Sequence, residues 1–247
     1  MSKNSSLDNP QIIEYKKTNI YIIENIFSDE LCEELIDIID KTNKTKTDYH
    51  DSNNVRCFYS NYSDLLKCDD AFYYKISTDP FEYKRLLDDV NNKKDFLTNN
   101  MNGLVHKNIV DTFSKVNEQM KLISKLMKKQ NASLDLDHNS DFTLRKIYGE
   151  TRRHTDGIKE VYHSNVMSIN ENYLNEYRMV RNATLIFALN DDYQGGIFKF
   201  NYHNVSFKMN KGSVLIFPPY WTHPHEVSDL LNDTFRYTLS TWCCQKI

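Results

Sequence analysis

Glycine and proline are scarce, at six and five in 247 residues. That excludes long structureless linkers and leaves the chain to packed elements. Long apolar runs are missing as well; none approaches the roughly 20 residues that cross a bilayer, so no membrane span is expected. The opening MSKNSSLDNPQ holds no apolar segment of the kind that directs secretion. No CxxC pair occurs among Cys32, Cys57, Cys68, Cys243 and Cys244; the count is odd and the one close pair is adjacent in sequence. Such cysteines read as reduced thiols in a cytoplasmic compartment. Excess positive charge is absent too. A formal net charge of −3 and a pI near 6.2 give no global attraction to nucleic acid or an anionic membrane, and neither is expected as a partner.

What is present divides near residue 140. Ile12–Ile26 clusters β-branched and aromatic residues and predicts a strand. Ser28-Asp29-Glu30 then reads as a helix start, a capping hydroxyl followed by acids in the first turn, with Leu31, Leu35, Ile38 and Ile39 at helical spacing. Residues 42–75 are polar and aromatic without clear period. Asp79–Asn91 and Asn108–Gln130 read as helices; the second carries an apolar face beside Lys115, Lys121, Lys125, Lys128 and Lys129, the pattern of a solvated helix packed on a sheet. Beyond residue 140 come short β-rich runs: Phe142–Tyr148, Ala183–Leu189, Ile197–Tyr202, Val205–Phe207, Ser213–Phe217 and Arg236–Trp242. Turn residues separate them, among them Gly195-Gly196 and Pro218-Pro219. Many short strands without intervening helices imply an antiparallel sandwich or barrel. The expected fold class is therefore α+β, mainly β: residues 140–247 form a double-stranded β-helix, or jelly roll, which residues 1–139 support within one domain.

The chemistry-bearing residues cluster in that second part. His154 and Asp156 are two apart, and in a strand that spacing turns both side chains to one face. A histidine from a distant strand would complete a two-His, one-carboxylate set, which leaves positions open on a non-haem iron. His223 and His225 both stand ready after Pro218-Pro219-Tyr220-Trp221, and Arg236 follows His225 by eleven residues. A dicarboxylate that chelates a metal through its keto-acid end needs a cation at its far end, and arginine suits that task. Thr238 lies on the same face of Arg236's strand, and Tyr148 on the strand leading to His154; both could bond the same carboxylate. His50, His106, His138, His163 and His203 sit in polar contexts and read as surface residues. Tyr220 and Trp221 fit either a substrate mouth or sheet packing. Trp242 reads as core, and Cys243-Cys244 as buried thiols.

Five blocks in order resemble the prolyl 4-hydroxylase-like 2-oxoglutarate oxygenases. Thr143–Gly149 through His154-Thr155-Asp156-Gly157 is similar to that family's metal-binding strand. Ala183–Asp191 followed by Gly195-Gly196-Ile197-Phe198-Lys199-Phe200 resembles its strand, acidic turn and Gly-Gly strand, with Ile197-Phe198 where Glu-Thr is common. Lys211–Pro218 resembles its penultimate strand, His225-Glu226-Val227 its distal histidine, and Arg236–Trp242 its co-substrate strand. The interval from His225 to Arg236 is one residue longer than usual, and Glu150–Arg153 is more basic. His225 continues into the family pattern, whereas His223 precedes Pro224.

The resemblance implies Fe(II) held by His154, Asp156 and His225, and 2-oxoglutarate anchored by Arg236 with Tyr148 and Thr238. It implies O2 as oxidant, ascorbate as accessory reductant, and succinate and CO2 as products. A protein or peptide substrate is expected, hydroxylated at a prolyl rather than lysyl side chain, beneath a covering segment within Asp51–Tyr62 and onward to about residue 104. Oxidation of a nucleobase or small molecule is the alternative within the same chemistry; the tail Tyr237–Ile247 lacks the further arginine that a nucleic-acid demethylase would show. A non-catalytic β-helix used for binding is the alternative from another class.

Overall fold

Where the sequence predicts one opening strand, the chain makes a hairpin. The computed structural model describes residues 9–42, 57–61, 101–134, 136, 138–140, 142–157, 160–164 and 176–246. Strands β1 (Gln11–Tyr15) and β2 (Ile20–Glu24) pair antiparallel, from Gln11↔Glu24 to Tyr15↔Ile20. Between them Lys16–Asn19 offers no apolar side chain to bury. Lys17 and Asn19 adopt positive φ, while Thr18 Oγ1 donates to the Tyr15 carbonyl at 2.5 Å and accepts the Ile20 amide at 3.1 Å. These local bonds offer the backbone a turn in place of a ladder.

Ser28 caps helix α1 (Asp29–Thr42), its Oγ accepting the Leu31 amide at 3.2 Å, with Asp29 and Glu30 in the first turn. Helix α2 (Met101–Gln130) begins earlier than the apolar period from Asn108 suggests. Once nucleated over an amphipathic stretch, a helix extends at small cost. The helix expected over Asp79–Asn91 lies outside the described residues. So does most of the expected covering segment; within it, Cys57–Asn61 forms β3 and residues 101–104 begin α2. No helix among the described residues is long and apolar enough to cross a membrane.

An eight-stranded antiparallel sheet carries the molecule. Its order is β1-β2-β11 (Val214–Phe217)-β7 (Glu176–Ala188)-β14 (Arg236–Lys246)-β4 (Thr143–Ile147)-β3, with β6 (Glu160–Ser164) also on β7. A four-stranded sheet faces it in the order β10 (Val205–Phe207)-β9 (Phe198–Phe200)-β12 (His225–Val227)-β5 (Thr151–His154). β8 (Gln194–Gly195) and β13 (Leu230–Leu231) form a separate pair. The stretch Thr143–His154, expected as one metal-binding strand, is thus two strands that cross from the large sheet to the small one. The runs expected at Ala183–Leu189 and Arg236–Trp242 are parts of longer strands, because Val180, Arg181 and Cys244–Lys246 continue the β7–β14 ladder past a bulge. The outcome is a jelly roll, with strands from the first part of the chain built into its larger sheet.

Strand alternation sorts two cores. Leu35, Ile39, Phe113 and Ile123 of the helices meet Leu144, Phe187, Val214 and Leu239 on the outer face of the large sheet. Between the sheets Ile20, Ile22, Phe198, Phe200, Leu215, Phe217 and Val227 form the second. β11 is buried on both faces, which accounts for its unbroken apolar run Val-Leu-Ile-Phe. Gly212 sits just before it at φ +77, its carbonyl accepting the Ile26 and Phe27 amides at 3.0 Å each. A Cβ there would stand 2.5 Å from the Phe27 carbonyl oxygen, so glycine is required.

Candidate active site

Strand β5 ends at His154, so Asp156 lies just beyond the strand rather than within it. The two still converge: His154 Nε2 is 3.5 Å from Asp156 Oδ1. Gly157 fixes the turn that follows, with φ +75 and its amide donating to the Pro219 carbonyl at 2.9 Å. β12 runs beside β5 and sets His225 opposite His154, ring centroids 4.4 Å apart. One potential ligand atom from each of His154, Asp156 and His225 lies within 4.8 Å of the others.

Both imidazoles spend Nδ1 on the backbone, His154 on the Arg152 carbonyl at 2.8 Å and His225 on the His223 carbonyl at 3.1 Å. With Nδ1–H donating, Nε2 is the nitrogen free to hold a metal, and the ring is oriented as ligating histidines are. His223 is engaged elsewhere. Its ring nitrogens meet the Thr18 carbonyl at 2.6 Å and the Thr222 hydroxyl at 2.8 Å, and its ring packs 4.4 Å from His203. His203 Nε2 in turn bonds the Thr222 carbonyl at 3.0 Å, and His138 is exposed. The side chains of His50, His106 and His163 lie outside the described residues.

The protonation states suit a cation. Burial alone would raise the Asp156 carboxyl, but hydrogen bonds from His154 and Thr184 and the nearby imidazoles hold it at about 2. Burial pushes His225 down to about 4. Burial also acts to lower His154, yet its bonds to Asp156 and the Arg152 carbonyl prevail and raise it. Near neutrality the set offers an ionised carboxylate and a neutral His225, while a metal must displace a proton competing for His154.

Inward-facing residues of the large sheet complete the cavity. From β14 come Arg236, Thr238 and Ser240, opposite Ile147, Arg145 and Thr143 of β4. Arg236 is buried at 4% exposure, its Cζ 4.9 Å from the Phe198 ring centre. Tyr148 is not among the lining residues. It is one residue out of phase with Ile147, and its ring lies 5.4 Å from Phe235 on the exposed side. Trp221 is exposed, and Tyr220 donates to Asn182 Oδ1 at 3.5 Å. Trp242, expected in the core, lines the cavity with the Arg181 guanidinium 3.7 Å over its ring. Cys243 and Cys244 are buried.

Four residues to which the sequence assigned no role emerge here. Thr184 donates its hydroxyl to Asp156 Oδ2, and Arg181 donates to the Asp156 carbonyl at 3.1 Å. Tyr193 packs with Cys57 and Ile147 of the cavity wall, and its buried hydroxyl has no hydrogen-bond partner among the described residues. The fourth is Arg145, which lines the cavity. A threonine in a β-rich run carries no mark of such a task; it becomes visible only through register.

Comparisons with known proteins bear on the fold that carries this cavity. Residues 144–244 match a family model described as the 2OG-Fe(II) oxygenase superfamily. The chain resembles a prolyl 4-hydroxylase-like 2-oxoglutarate oxygenase. Among solved structures, a viral collagen prolyl hydroxylase from Paramecium bursaria Chlorella virus-1, in a 2OG complex, aligns with a TM-score of 0.51 at 12% identity; the match covers 92% of this chain and 96% of that one. A prolyl hydroxylase from Trichoplax adhaerens, in complex with a peptide fragment of the hypoxia inducible factor oxygen degradation domain, aligns at 0.50 and 12% identity, over 92% and 84%. At such identity these prolyl hydroxylases establish the likeness of fold. No curated protein sequence matches.

Proposed function

We propose that the protein is an Fe(II)- and 2-oxoglutarate-dependent dioxygenase that hydroxylates a peptidyl side chain, proline in the first instance. The observation that carries this reading is the meeting of His154, Asp156 and His225 in the cavity that Arg236 lines. The donor set fits iron: two neutral nitrogens and one carboxylate leave room for co-substrate and oxygen. Bound iron would supply the activation of O2, coupled to conversion of 2-oxoglutarate to succinate and CO2.

The chain's own residues orient and enclose. Nδ1 bonds to backbone carbonyls fix both imidazoles, and the Thr184 hydroxyl holds one carboxylate oxygen of Asp156, leaving Oδ1 toward His154. Arg236, held among Phe198 and other apolar groups, would take the distal carboxylate of 2-oxoglutarate, with Thr238 on the same wall. Phe198, Ile186 and Val227 would keep water from the cavity. Tyr148 would serve the carboxylate only after leaving Phe235. Ascorbate would keep the metal reduced.

A peptide substrate is favoured by the peptide complex of the Trichoplax protein. Single-domain organisation is supported by β2, which pairs with β11 deep in the jelly roll. A cytoplasmic setting is supported by buried thiols at Cys32, Cys57, Cys243 and Cys244. The test is mass spectrometry of proline-containing peptides incubated aerobically with the enzyme, Fe(II), 2-oxoglutarate and ascorbate. Gain of one oxygen on proline, with matching succinate, is expected. Succinate without any peptide product would contradict the prolyl assignment.

A further inference from the structure

A second guanidinium shares the cavity with Arg236. Arg145 projects from β4 directly opposite Thr238, while Arg236 stands opposite Ile147. That diagonal places their backbones roughly 7–8 Å apart on one inner face. Two guanidinium groups on one wall of a cavity suit a ligand with a carboxylate at each end.

β14 serves as a ruler for where each cation acts. Its inward residues Arg236, Thr238, Ser240 and Trp242 follow one another in steps of about 6.8 Å. Trp242 marks the metal end, because it pairs with Thr184, whose hydroxyl bonds Asp156. Arg145 Nη1 donates to Ser240 Oγ, one step from that end; Arg236 is three steps away. So the two arginines serve different ends of the cavity.

We infer that Arg145 is a second carboxylate-binding residue, holding the keto-acid end of 2-oxoglutarate while Arg236 holds the distal carboxylate. This rests on the oxygenase reading above. A chelating keto acid commits one carboxylate oxygen to the metal, and the other oxygen can accept an N–H from a guanidinium. The competing role is a brace, in which Arg145 merely ties β4 to β14 through Ser240.

Matched probes separate these roles. The anaerobic, Fe(II)-loaded full chain is titrated with 2-oxoglutarate and with 2-oxopentanoate, which replaces the distal carboxylate by a methyl group. Binding is read from the visible charge-transfer band of the chelated keto acid. Arg236→Met should weaken 2-oxoglutarate roughly ten- to a hundredfold and leave 2-oxopentanoate unchanged. Arg145→Met should weaken both acids by a common factor of roughly ten or more, and Arg145→Lys should recover part of it. Co(II) affinity without keto acid should be the same in Arg145→Met as in wild type. The inference is overturned if Arg145→Met binds both acids normally, or loses affinity for 2-oxoglutarate alone. Loss of Co(II) binding in that variant would overturn it as well, in favour of the brace. If wild type gives no band with 2-oxoglutarate, the oxygenase reading itself fails and takes this inference with it.

Discussion

The two faces of β14 make a controlled comparison within one strand. Tyr237, Leu239 and Cys243 point into the core beneath the helices, whereas Arg236, Thr238, Ser240 and Trp242 point into the cavity. β7 divides likewise: Leu185 and Phe187 face the helices, and Thr184 and Ile186 face the cavity. Successive residues of one strand thus hold the fold together on one side and build the site on the other. The outer face works by filled volume; the inner face depends on atoms, a hydroxyl here and a guanidinium there.

If that division is real, the two faces should fail differently. The largest effect is expected on the inner side. His154→Ala should lower Fe(II) or Co(II) affinity by at least roughly a hundredfold, since the set then holds two ligands and an exposed gap, while the thermal midpoint of the metal-free protein barely moves. Metal titration followed by optical spectroscopy checks the first part and a melting curve the second. Phe187→Ala is the outer counterpart. Its ring is fully buried and stacks on Phe27 at a centroid distance of 4.5 Å. Urea denaturation should show a loss of about 3–5 kcal/mol; where the protein stays folded, metal affinity should be retained.

Thr184→Val sharpens the contrast with a near-isosteric change. Removing the hydroxyl on Asp156 should cost roughly ten- to a hundredfold in metal affinity, with Thr184→Ser restoring most of it. A stability loss comparable to Phe187→Ala, with metal binding intact, would break the division. The smallest effect is in pH. His154 is raised above its ordinary value, so its proton competes with metal already near neutrality. Apparent Co(II) affinity should fall as pH drops through that raised pKa, by up to about tenfold per unit. His225, lowered to about 4, adds a second proton only further down. In the metal-free protein the His225 shift works against stability as pH falls from 6.5 toward 4, because the unfolded chain takes up the proton first.

Much of this division could be read along the chain. Alternation in Arg236–Trp242 announces a two-faced strand, and His154-Thr155-Asp156 followed by His225 names the residues that meet. Less legible is anything fixed by register between distant strands. Whether Ile147 or Tyr148 faces the cavity is a matter of parity, settled by the pairing of Ile147 with Arg236. Thr184 gains its task only because a residue far away in sequence, Asp156, is brought beside it. Arg145 stands in the block Thr143–Gly149 with nothing to mark a role, since its position relative to Ser240 follows from the β4–β14 pairing. The opening hairpin was hidden by the strength of its neighbours: Ile20–Ile23 is so apolar that the polar turn before it reads as an interruption rather than an end.

The central claim is that one cavity holds metal and keto acid together, and an anaerobic visible spectrum tests it without any knowledge of the substrate. Wild type with Fe(II) and 2-oxoglutarate should show a weak charge-transfer band. That band should vanish in His154→Ala and require much more 2-oxoglutarate in Arg236→Ala. A folded wild-type protein that shows no band at saturating 2-oxoglutarate would contradict the claim and leave the jelly roll as a binding module.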